Sequence, residues 1–319
     1  MSSTAPALSR AETAAPGKPG KSGKPGKQPD RRKLADNVTG WSFAGPATLI
    51  ILGFSLIPMA WALMLSFTDS DLMSPGRNVG LDNYRALIQD PVFFQALRNT
   101  ALLVVIYIPA SLVAGLLIAV LLNRKVRGIG FYRACFLVPY IASATSAGLL
   151  MGYIFDRDFG LMNGLFVKLG LPVQGLLSSP SQAMFVLTLI FFWTRFGFSV
   201  VIYLAAIQEI SKEVLEAASI DGAGRWATFR HVIVPSVRSM TIFLAVWGLI
   251  DALQFFDLIV TTTKGGPANA TVTIVYYVWQ LAFSFFTAGY GAAVAYVLFL
   301  GTLLLIVIGL LIARKKGVM

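Results

Sequence analysis

Cysteine, histidine and charged residues are scarce in this sequence of 319 residues, and each scarcity excludes a class of site. The single cysteine, Cys135, cannot form an internal disulfide and leaves no cysteine cluster for a metal ion. The single histidine, His231, is better explained as a structural residue than as a metal ligand. No carboxylates cluster in the apolar stretches either, so the sequence predicts no catalytic residue and no metal site, and a membrane-embedded enzyme is disfavoured.

Charged side chains make up 13% of the sequence, against roughly 25% in soluble domains. They are missing altogether from four long ranges, which are 43–67, 100–122, 134–155 and 265–313. About 20 apolar residues in a helix are enough to cross the hydrocarbon core of a membrane. The pattern therefore predicts an all-α integral membrane protein with six transmembrane helices, at 43–65, 99–122, 134–155, 182–207, 239–262 and 288–312.

Lysine and arginine are distributed unevenly between alternate loops. They concentrate near the start of the chain, in 124–133, in 212–238 and after residue 313. Because cytoplasmic loops carry an excess of Lys and Arg, both termini are predicted to be cytoplasmic. Residues 1–38 are basic and rich in Gly and Pro (GKPGKSGKPGK), so we expect a disordered tail that contacts anionic lipid rather than nucleic acid. One six-helix domain follows, over 39–319.

The first predicted outer loop, 66–97, contains a helical pattern of its own. Apolar residues recur at helical spacing over 81–88, which predicts a short amphipathic helix at the outer interface. Asp90 and Pro91 would end this helix and start the next one. The second outer loop, 156–181, is rich in Gly and Pro and is predicted to consist of turns.

The most patterned segment lies in a predicted cytosolic loop and reads EAASIDGAGRWATFRHVIVP from Glu216. Ser211 can cap a short helix on which Ala217 and Ala218 share one face. The two alanine side chains are small, so another protein can approach that face closely. Gly222 permits a turn into a second short helix. The pattern predicts two small helices that project into the cytosol towards a soluble partner.

This spacing resembles the EAA loop of ABC importer permeases, E-A-A-x3-G-x9-I-x-L-P. The initial Glu-Ala-Ala, Gly222 and Pro235 are in register with it, and 232–234 replaces I-x-L with residues of similar shape. Ser211 stands where that family often has proline. Three further strings, IDGA-x-x-W-x-x-F, GLDNY and FDLIVTTTKGGP, resemble sugar permeases of the maltose and glycerol-phosphate type. The likeness extends over nearly the whole chain beyond the tail.

The resemblance implies a type I ABC importer permease fold and a multi-pass subunit of the bacterial inner membrane. A second permease subunit would complete the path, and an extracytoplasmic sugar-binding protein would deliver the cargo. This chain would bind no cofactor, since ATP and Mg²⁺ would belong to two ATPase subunits or one homodimer. The loop 208–236 would dock on the ATPase through Glu216, Ala217, Ala218, Asp221 and Gly222.

A string that looks like the end of a phosphate-binding loop, Gly-Lys-Ser at 20–22, does not alter this expectation. Position 15 is Ala where the phosphate-binding motif needs Gly, and the segment is of low complexity. We therefore assign ATP hydrolysis to a separate subunit.

Three ionisable residues, Arg195, Asp251 and Asp257, lie in or near predicted spans, where charge is costly unless it faces protein or water. Arg195 and Asp251 fall at similar depth in the fourth and fifth spans, so we expect each to pair with the other or with a partner subunit. Asp251, Gln254 and Asp257 follow one another at intervals of three, which predicts a drifting stripe along the fifth helix.

These polar residues are candidates for a sugar path. Sugars are commonly held by Asp or Gln side chains that match their hydroxyls, with an aromatic ring against the apolar face of the sugar. Trp193 and Phe196 offer such rings on the fourth span. The predicted path is therefore formed by Trp193, Phe196, Asp251, Gln254 and Asp257.

Two alternatives stay open from the sequence. The candidate path residues could serve helix packing alone, with the partner permease supplying the contacts to the sugar. The whole chain could also be an ion-coupled secondary carrier or channel that uses Arg195 and Asp251 as a gate. Uptake by such a carrier would follow an ion gradient and would survive the loss of any cytosolic ATPase.

Overall fold

The structure, a computed structural model, describes residues 41–42, 44–74, 76–123 and 128–315. The predicted disordered tail, 1–38, lies outside these residues and stays a prediction. The chain divides into two compact units, Met1–Ile57 and Pro58–Met319. In the first unit the described residues are helical, and the second unit contains the predicted docking loop and all the candidate path residues.

Helices form most of the described chain. Three stretches, Leu52–Leu56, Phe229–Ile233 and Gln280–Ser284, take the wider π-helical form. The α-helices are α1 (Ala44–Leu65, including the first π-helical stretch), α2 (Asp82–Gln89), α3 (Pro91–Leu122), α4 (Ile129–Ile141), α5 (Ala144–Ile154), α6 (Leu161–Lys168), α7 (Ala183–Gln208), α8 (Lys212–Ile220), α9 (Arg225–Thr228), α10 (Val234–Ser236), α11 (Arg238–Leu253), α12 (Asp257–Thr261), α13 (Ile274–Trp279) and α14 (Ala288–Lys315).

The described residues include five helical stretches that are long and apolar enough to cross a membrane. The pair α4 and α5 makes a sixth if its two halves count as one span. Each candidate span coincides with one of the six predicted positions, so the all-α membrane architecture is confirmed. The five stretches are α1, α3, α7, α11 taken together with α12, and α14.

The third predicted span, 134–155, is not the continuous helix that its hydropathy indicated. Helices α4 and α5 meet at a bend of 97°. Ala142 and Ser143 between them have non-helical backbone angles, with ψ of 146° and 128°. Pro139 lies in the last turn of α4 and has no backbone N–H to donate, which weakens the helix just before the bend. Hydropathy reports composition and not direction, so it could not reveal the bend.

The fifth predicted span is interrupted as well. Helix α11 ends at Leu253, and α12 begins only at Asp257. Between them Phe255 turns into the core, where its side chain is 3% exposed and packs against Phe191 with ring centroids 4.8 Å apart. The ring of Phe255 is therefore buried at the point where the chain leaves the helical conformation between α11 and α12. The predicted stripe of Asp251, Gln254 and Asp257 on one continuous helix is therefore wrong.

The start of the second span agrees with its sequence pattern. The predicted amphipathic helix of the first outer loop is present as α2. Asp90 then adopts an extended conformation, and its carboxylate accepts hydrogen bonds from the backbone N–H groups of Val92 (2.8 Å) and Phe93 (3.3 Å). Pro91 occupies the first helical position of α3, where its missing N–H costs nothing.

The second outer loop is more ordered than a series of turns. Helix α6 lies within it, and Asn163 on that helix ties the loop together. The side-chain amide of Asn163 donates to the carbonyl oxygens of Arg157 and Gln174, each at 2.9 Å, and accepts from the backbone N–H of Gln174 at 2.9 Å. The side chain of one buried asparagine thus satisfies backbone hydrogen-bonding groups of the loop that have no partner in a helix or strand.

Helices α3 and α7 form the most extensive helix pair, and small residues let them approach closely. The buried hydroxyls of Ser111 and Ser199 share a hydrogen bond of 2.9 Å. A Cβ added to Gly115 would lie 2.8 Å from the Cβ of Ser199. On α7, a Cβ at Gly197 would collide with the carbonyl oxygen of Phe136 on α4. Close backbone approach at small residues is how helices gain packing energy in lipid.

Candidate functional site

The predicted docking loop, 208–236, contains two helical segments on either side of a turn, as its pattern indicated. The first segment is α8, and the second is α9 followed by the π-helical stretch Phe229–Ile233 and α10. Helix α8 begins after Ser211, whose hydroxyl oxygen accepts a hydrogen bond from the backbone N–H of Val214 at 3.4 Å. This cap satisfies one of the free donors at the start of the helix. On α8, Glu216 and Ala217 are exposed and Ala218 is half-buried. The alanine face is therefore open to a partner.

Helix α8 ends in a turn that only glycine adopts without strain. Gly222 has a φ of +76°, in the left-handed region. Its N–H donates to the carbonyl of Ser219 at 3.1 Å, and the N–H of Ala223 donates to the carbonyl of Ala218 at 2.9 Å. These two bonds close the helix end. The backbone angle is the constraint and not space, because a Cβ at Gly222 would meet no atom within 4 Å.

Large apolar side chains are exposed on both sides of this turn. Ile220 is 86% exposed at the end of α8, and Trp226 is 68% exposed on α9. Trp226 stacks on Phe229 with ring centroids 5.4 Å apart, and Asp221 beside the turn is exposed. Exposed apolar groups rimmed by charge are typical of protein contact surfaces. The loop therefore has the surface of a docking element.

The predicted pairing of Arg195 with Asp251 is confirmed. Nε of Arg195 lies 3.5 Å from Oδ2 of Asp251, which joins α7 to α11 about halfway along each apolar stretch. The contact is between charges and is not a hydrogen bond, because the buried Nε atom has no hydrogen-bond partner among the described residues. The two side chains remain 28% and 22% exposed. Contact with lipid would be costly for both, so the open side faces a watery path or another subunit.

Aromatic rings support the pair from the core side. The guanidinium carbon of Arg195 lies 5.7 Å from the centroid of the Phe191 ring, a cation–π distance. Phe191 packs edge-on against Tyr107, at 4.7 Å, and against Phe255, at 4.8 Å. All three rings are buried. The aromatic cluster therefore fixes the direction in which the arginine side chain points.

The predicted sugar-path residues do not all come together. Trp193 is 36% exposed and, with the partly exposed Asp251, offers open surface at mid-depth. Phe196 is buried, and its ring is stacked on a neighbouring phenylalanine. Gln254 borders an apolar cleft of about 340 Å³ between α11, α13 and α14. Asp257 is exposed beyond the break in the fifth span.

Sequence reasoning missed a polar cluster at the start of α3. The Asp90 carboxylate accepts hydrogen bonds from the hydroxyls of Tyr277, at 2.6 Å, and Tyr290, at 2.7 Å. Burial alone would raise the pKa of Asp90, but these bonds and those from the backbone outweigh it and hold the pKa below its usual value. The tyrosines lie 187 and 200 residues away, so no local pattern linked them to Asp90.

Comparison with known proteins bears on this geometry. Residues 103–317 match the family described as "Binding-protein-dependent transport system inner membrane component". The matched region includes the whole docking loop, Arg195 and Asp251.

Individual relatives extend the match towards the start of the chain. The chain is 33% identical over 288 residues to the lactose transport system permease protein LacF of Rhizobium radiobacter, which covers 88% of this chain and 95% of that protein. It is 35% identical over 309 residues to the diacetylchitobiose uptake system permease protein NgcF of Streptomyces coelicolor, which covers 91% of this chain and 87% of that protein.

The fold also matches a solved structure. A chain in the crystal structure of a bacterial ABC transporter involved in the import of the acidic polysaccharide alginate superposes with a TM-score of 0.78 at 20% identity. The alignment covers 89% of this chain and 98% of that chain, so the fold is shared. Together with the match over residues 103–317, these relatives establish that the chain belongs to the family of inner membrane components of binding-protein-dependent transport systems.

Proposed function

We propose that this chain is one of two permease subunits of an ATP-driven importer that takes up a sugar or sugar derivative. The observation that carries the proposal is the docking loop 208–236, an exposed pair of short helices fixed by the turn at Gly222. Relatives named for the transport of lactose and diacetylchitobiose support a sugar as the cargo class.

The remaining parts of the machine are separate proteins in this proposal. An extracytoplasmic binding protein delivers the sugar to the outer loops, and a second permease completes the path. Two ATPase subunits, or one homodimer, bind ATP and Mg²⁺ in the cytosol, and this chain binds neither. The excess of Lys and Arg in the alternate loops supports cytoplasmic termini and a cytosolic docking loop. The ATPase contacts are made by Glu216, Ala217, Ala218, Asp221 and Gly222.

The position of the loop in the chain suggests how force is transmitted. Helix α7 ends at Gln208 immediately before the loop, and α11 begins at Arg238 immediately after it. These two helices carry Arg195 and Asp251. Closure of the ATPase subunits would therefore displace the loop and shift both helices that line the proposed path. In this proposal Trp193 supplies a ring face and Asp251 a hydroxyl partner for the sugar. Phe196, stacked on Phe192, supports the fourth span behind the path, and Gln254 and Asp257 lie further along the path.

Coupling through the turn is tested by Gly222→Ala with Gly224→Ala as its matched control. A Cβ meets nothing within 4 Å at either position, but only Gly222 has a positive φ. We expect Gly222→Ala to distort the end of α8 and to reduce sugar uptake and ATPase co-purification several-fold, while Gly224→Ala keeps both near wild type. Equal behaviour of the two variants would remove the turn from the mechanism.

The importer proposal also predicts what powers uptake. Loss of ATP hydrolysis in the ATPase subunits, with the ion gradient intact, is expected to abolish sugar accumulation in reconstituted vesicles. Accumulation that continued under these conditions would favour the ion-coupled carrier instead. Family membership favours the importer, because the family consists of components of binding-protein-dependent systems.

A further inference from the structure

The charges at mid-membrane cancel one another. Arg195 contributes one positive charge and Asp251 one negative charge, with 3.5 Å between Nε and Oδ2. They occupy the middle of α7 and of the stretch formed by α11 and α12. The cargo therefore meets an electrically neutral pair rather than a charged ring at this depth.

The pair keeps unused hydrogen-bonding capacity. A guanidinium has five N–H donors and a carboxylate about four acceptor sites. Here the two groups meet by charge and not by a hydrogen bond, and both remain partly exposed. A neutral sugar presents adjacent hydroxyls that each donate and accept. One hydroxyl can accept from Arg195 while its neighbour donates to Asp251, and the ion pair is preserved.

An anionic sugar would find no such match. Its carboxylate, phosphate or sulfonate would compete with Asp251 for Arg195. If the anionic group of the sugar took Arg195, the Asp251 carboxylate would stay partly buried without its counter-ion. If Asp251 kept Arg195, the anionic group of the sugar and the carboxylate would lie side by side. The aromatic cluster around Phe191 limits how far the arginine can swing to serve both groups.

We infer that the Arg195–Asp251 pair selects cargo by charge and makes the path specific for neutral, hydroxyl-rich sugars. This inference rests on the proposed sugar-importer function. It assigns to Arg195 a role in specificity. The zero net charge of the pair, rather than either residue alone, determines which cargo is preferred.

The test measures weak binding to the assembled complex in nanodiscs without the binding protein, so that cargo choice by that protein does not interfere. The probes are methyl β-glucopyranoside and its uronate counterpart, compared by saturation-transfer difference NMR. Wild type is expected to favour the neutral glucoside. Asp251→Asn leaves an uncompensated positive charge and is expected to shift the preference about tenfold towards the uronate.

Two further variants separate charge from shape. The double variant Arg195→Gln with Asp251→Asn restores neutrality and is expected to lose the preference for the uronate, although both sugars bind more weakly. Asp158→Asn removes an exposed outer carboxylate and is expected to leave the wild-type preference unchanged. A purely structural role for the pair would weaken both probes equally in Asp251→Asn.

The outcomes test charge selection separately from the proposed sugar-importer function. Glucoside binding by wild type with an unchanged ratio in Asp251→Asn would overturn charge selection and leave the sugar-importer proposal standing. Binding of neither probe by wild type would overturn the inference that the pair accepts neutral sugar rings, whereas the importer proposal is overturned by accumulation that continues without ATP hydrolysis.

Discussion

At the scale of single residues, Asp90 shows how much structure one carboxylate can organise. It caps α3 through two backbone N–H groups and accepts two tyrosine hydroxyls, from α13 and α14. Hydrogen bonds to a charged acceptor are about twice as strong as neutral ones. The start of α3, α13 and α14 are therefore joined at one ionised side chain, although they are distant in sequence.

Because the folded state holds the pKa of Asp90 below its usual value, this carboxylate contributes stability that depends on pH. The contribution is complete above the pKa of the unfolded chain, near 4, and is lost as the pH falls through the lower folded value. We expect Asp90→Asn to lower the melting temperature of the purified complex at pH 7. The melting temperature of the variant should then decrease less than that of wild type as the pH is lowered. Thermal unfolding followed by fluorescence at several pH values checks this.

Controls for this prediction come from the tyrosines. Tyr277→Phe and Tyr290→Phe each remove one hydroxyl and keep the ring and the cap, so each is expected to cost about 1.5–3 kcal/mol, the typical value for a hydrogen bond to a charged group. If Asp90→Asn melted like wild type at every pH, the cluster would have no part in stability.

Residues whose environment is local could be predicted from the sequence, and those set by tertiary structure could not. Ser211 and Gly222 act on atoms within a few residues, so the cap and the turn followed from spacing alone. Arg195 and Asp251 could be paired because charge at equal depth in a membrane must be compensated. The contacts of Asp90 with Tyr277 and Tyr290 could not be predicted in this way, because Tyr is common at membrane interfaces whether or not it binds a carboxylate.

At the scale of helices, positions in sequence were predictable but continuity was not. Hydropathy located every span, because the length of an apolar run is fixed by membrane thickness. The bend at Ala142 and Ser143 contains no charged residue, and the break around Phe255 contains only Gln254 as a strongly polar residue, a type that is also common inside helices. The break around Phe255 accompanies a tertiary contact, that of Phe255 with Phe191, which no local pattern could indicate.

Helix packing gives a prediction at this scale. Gly197→Ala would place a methyl group against the backbone carbonyl of Phe136, which cannot move aside as a flexible side chain could. We expect it to separate α4 from α7 and to destabilise the complex by about 1–3 kcal/mol, as overpacking does. Gly301→Ala on α14 is the control, because a Cβ there meets nothing within 4 Å. Thermal unfolding of both variants measures the difference, and equal melting temperatures would contradict close packing at Gly197.

At the scale of the whole molecule, the order of elements along the chain joins the proposed docking loop to the mid-membrane ion pair. The docking loop lies between α7 and α11, and the same two helices hold the mid-membrane pair. A displacement on one side of the membrane would thus reach the candidate cargo contacts through two continuous helices. Such transmission requires the loop to lie on the cytosolic side, as the distribution of Lys and Arg predicts.

Orientation can be measured directly with single cysteines. Replacing Cys135 with Ser removes the natural thiol, and Lys168→Cys and Lys315→Cys then place one thiol each at exposed positions at the end of α6 and at the end of α14. In cells whose inner membrane is intact and whose outer layers have been removed, a membrane-impermeant maleimide should label the Lys168→Cys variant and not the Lys315→Cys variant. Lys315→Cys should react only after lysis, because the cytoplasmic side carries the excess of basic residues. The reverse labelling would place the docking loop outside, where no ATP-driven partner could reach it, and would refute the proposed coupling at once.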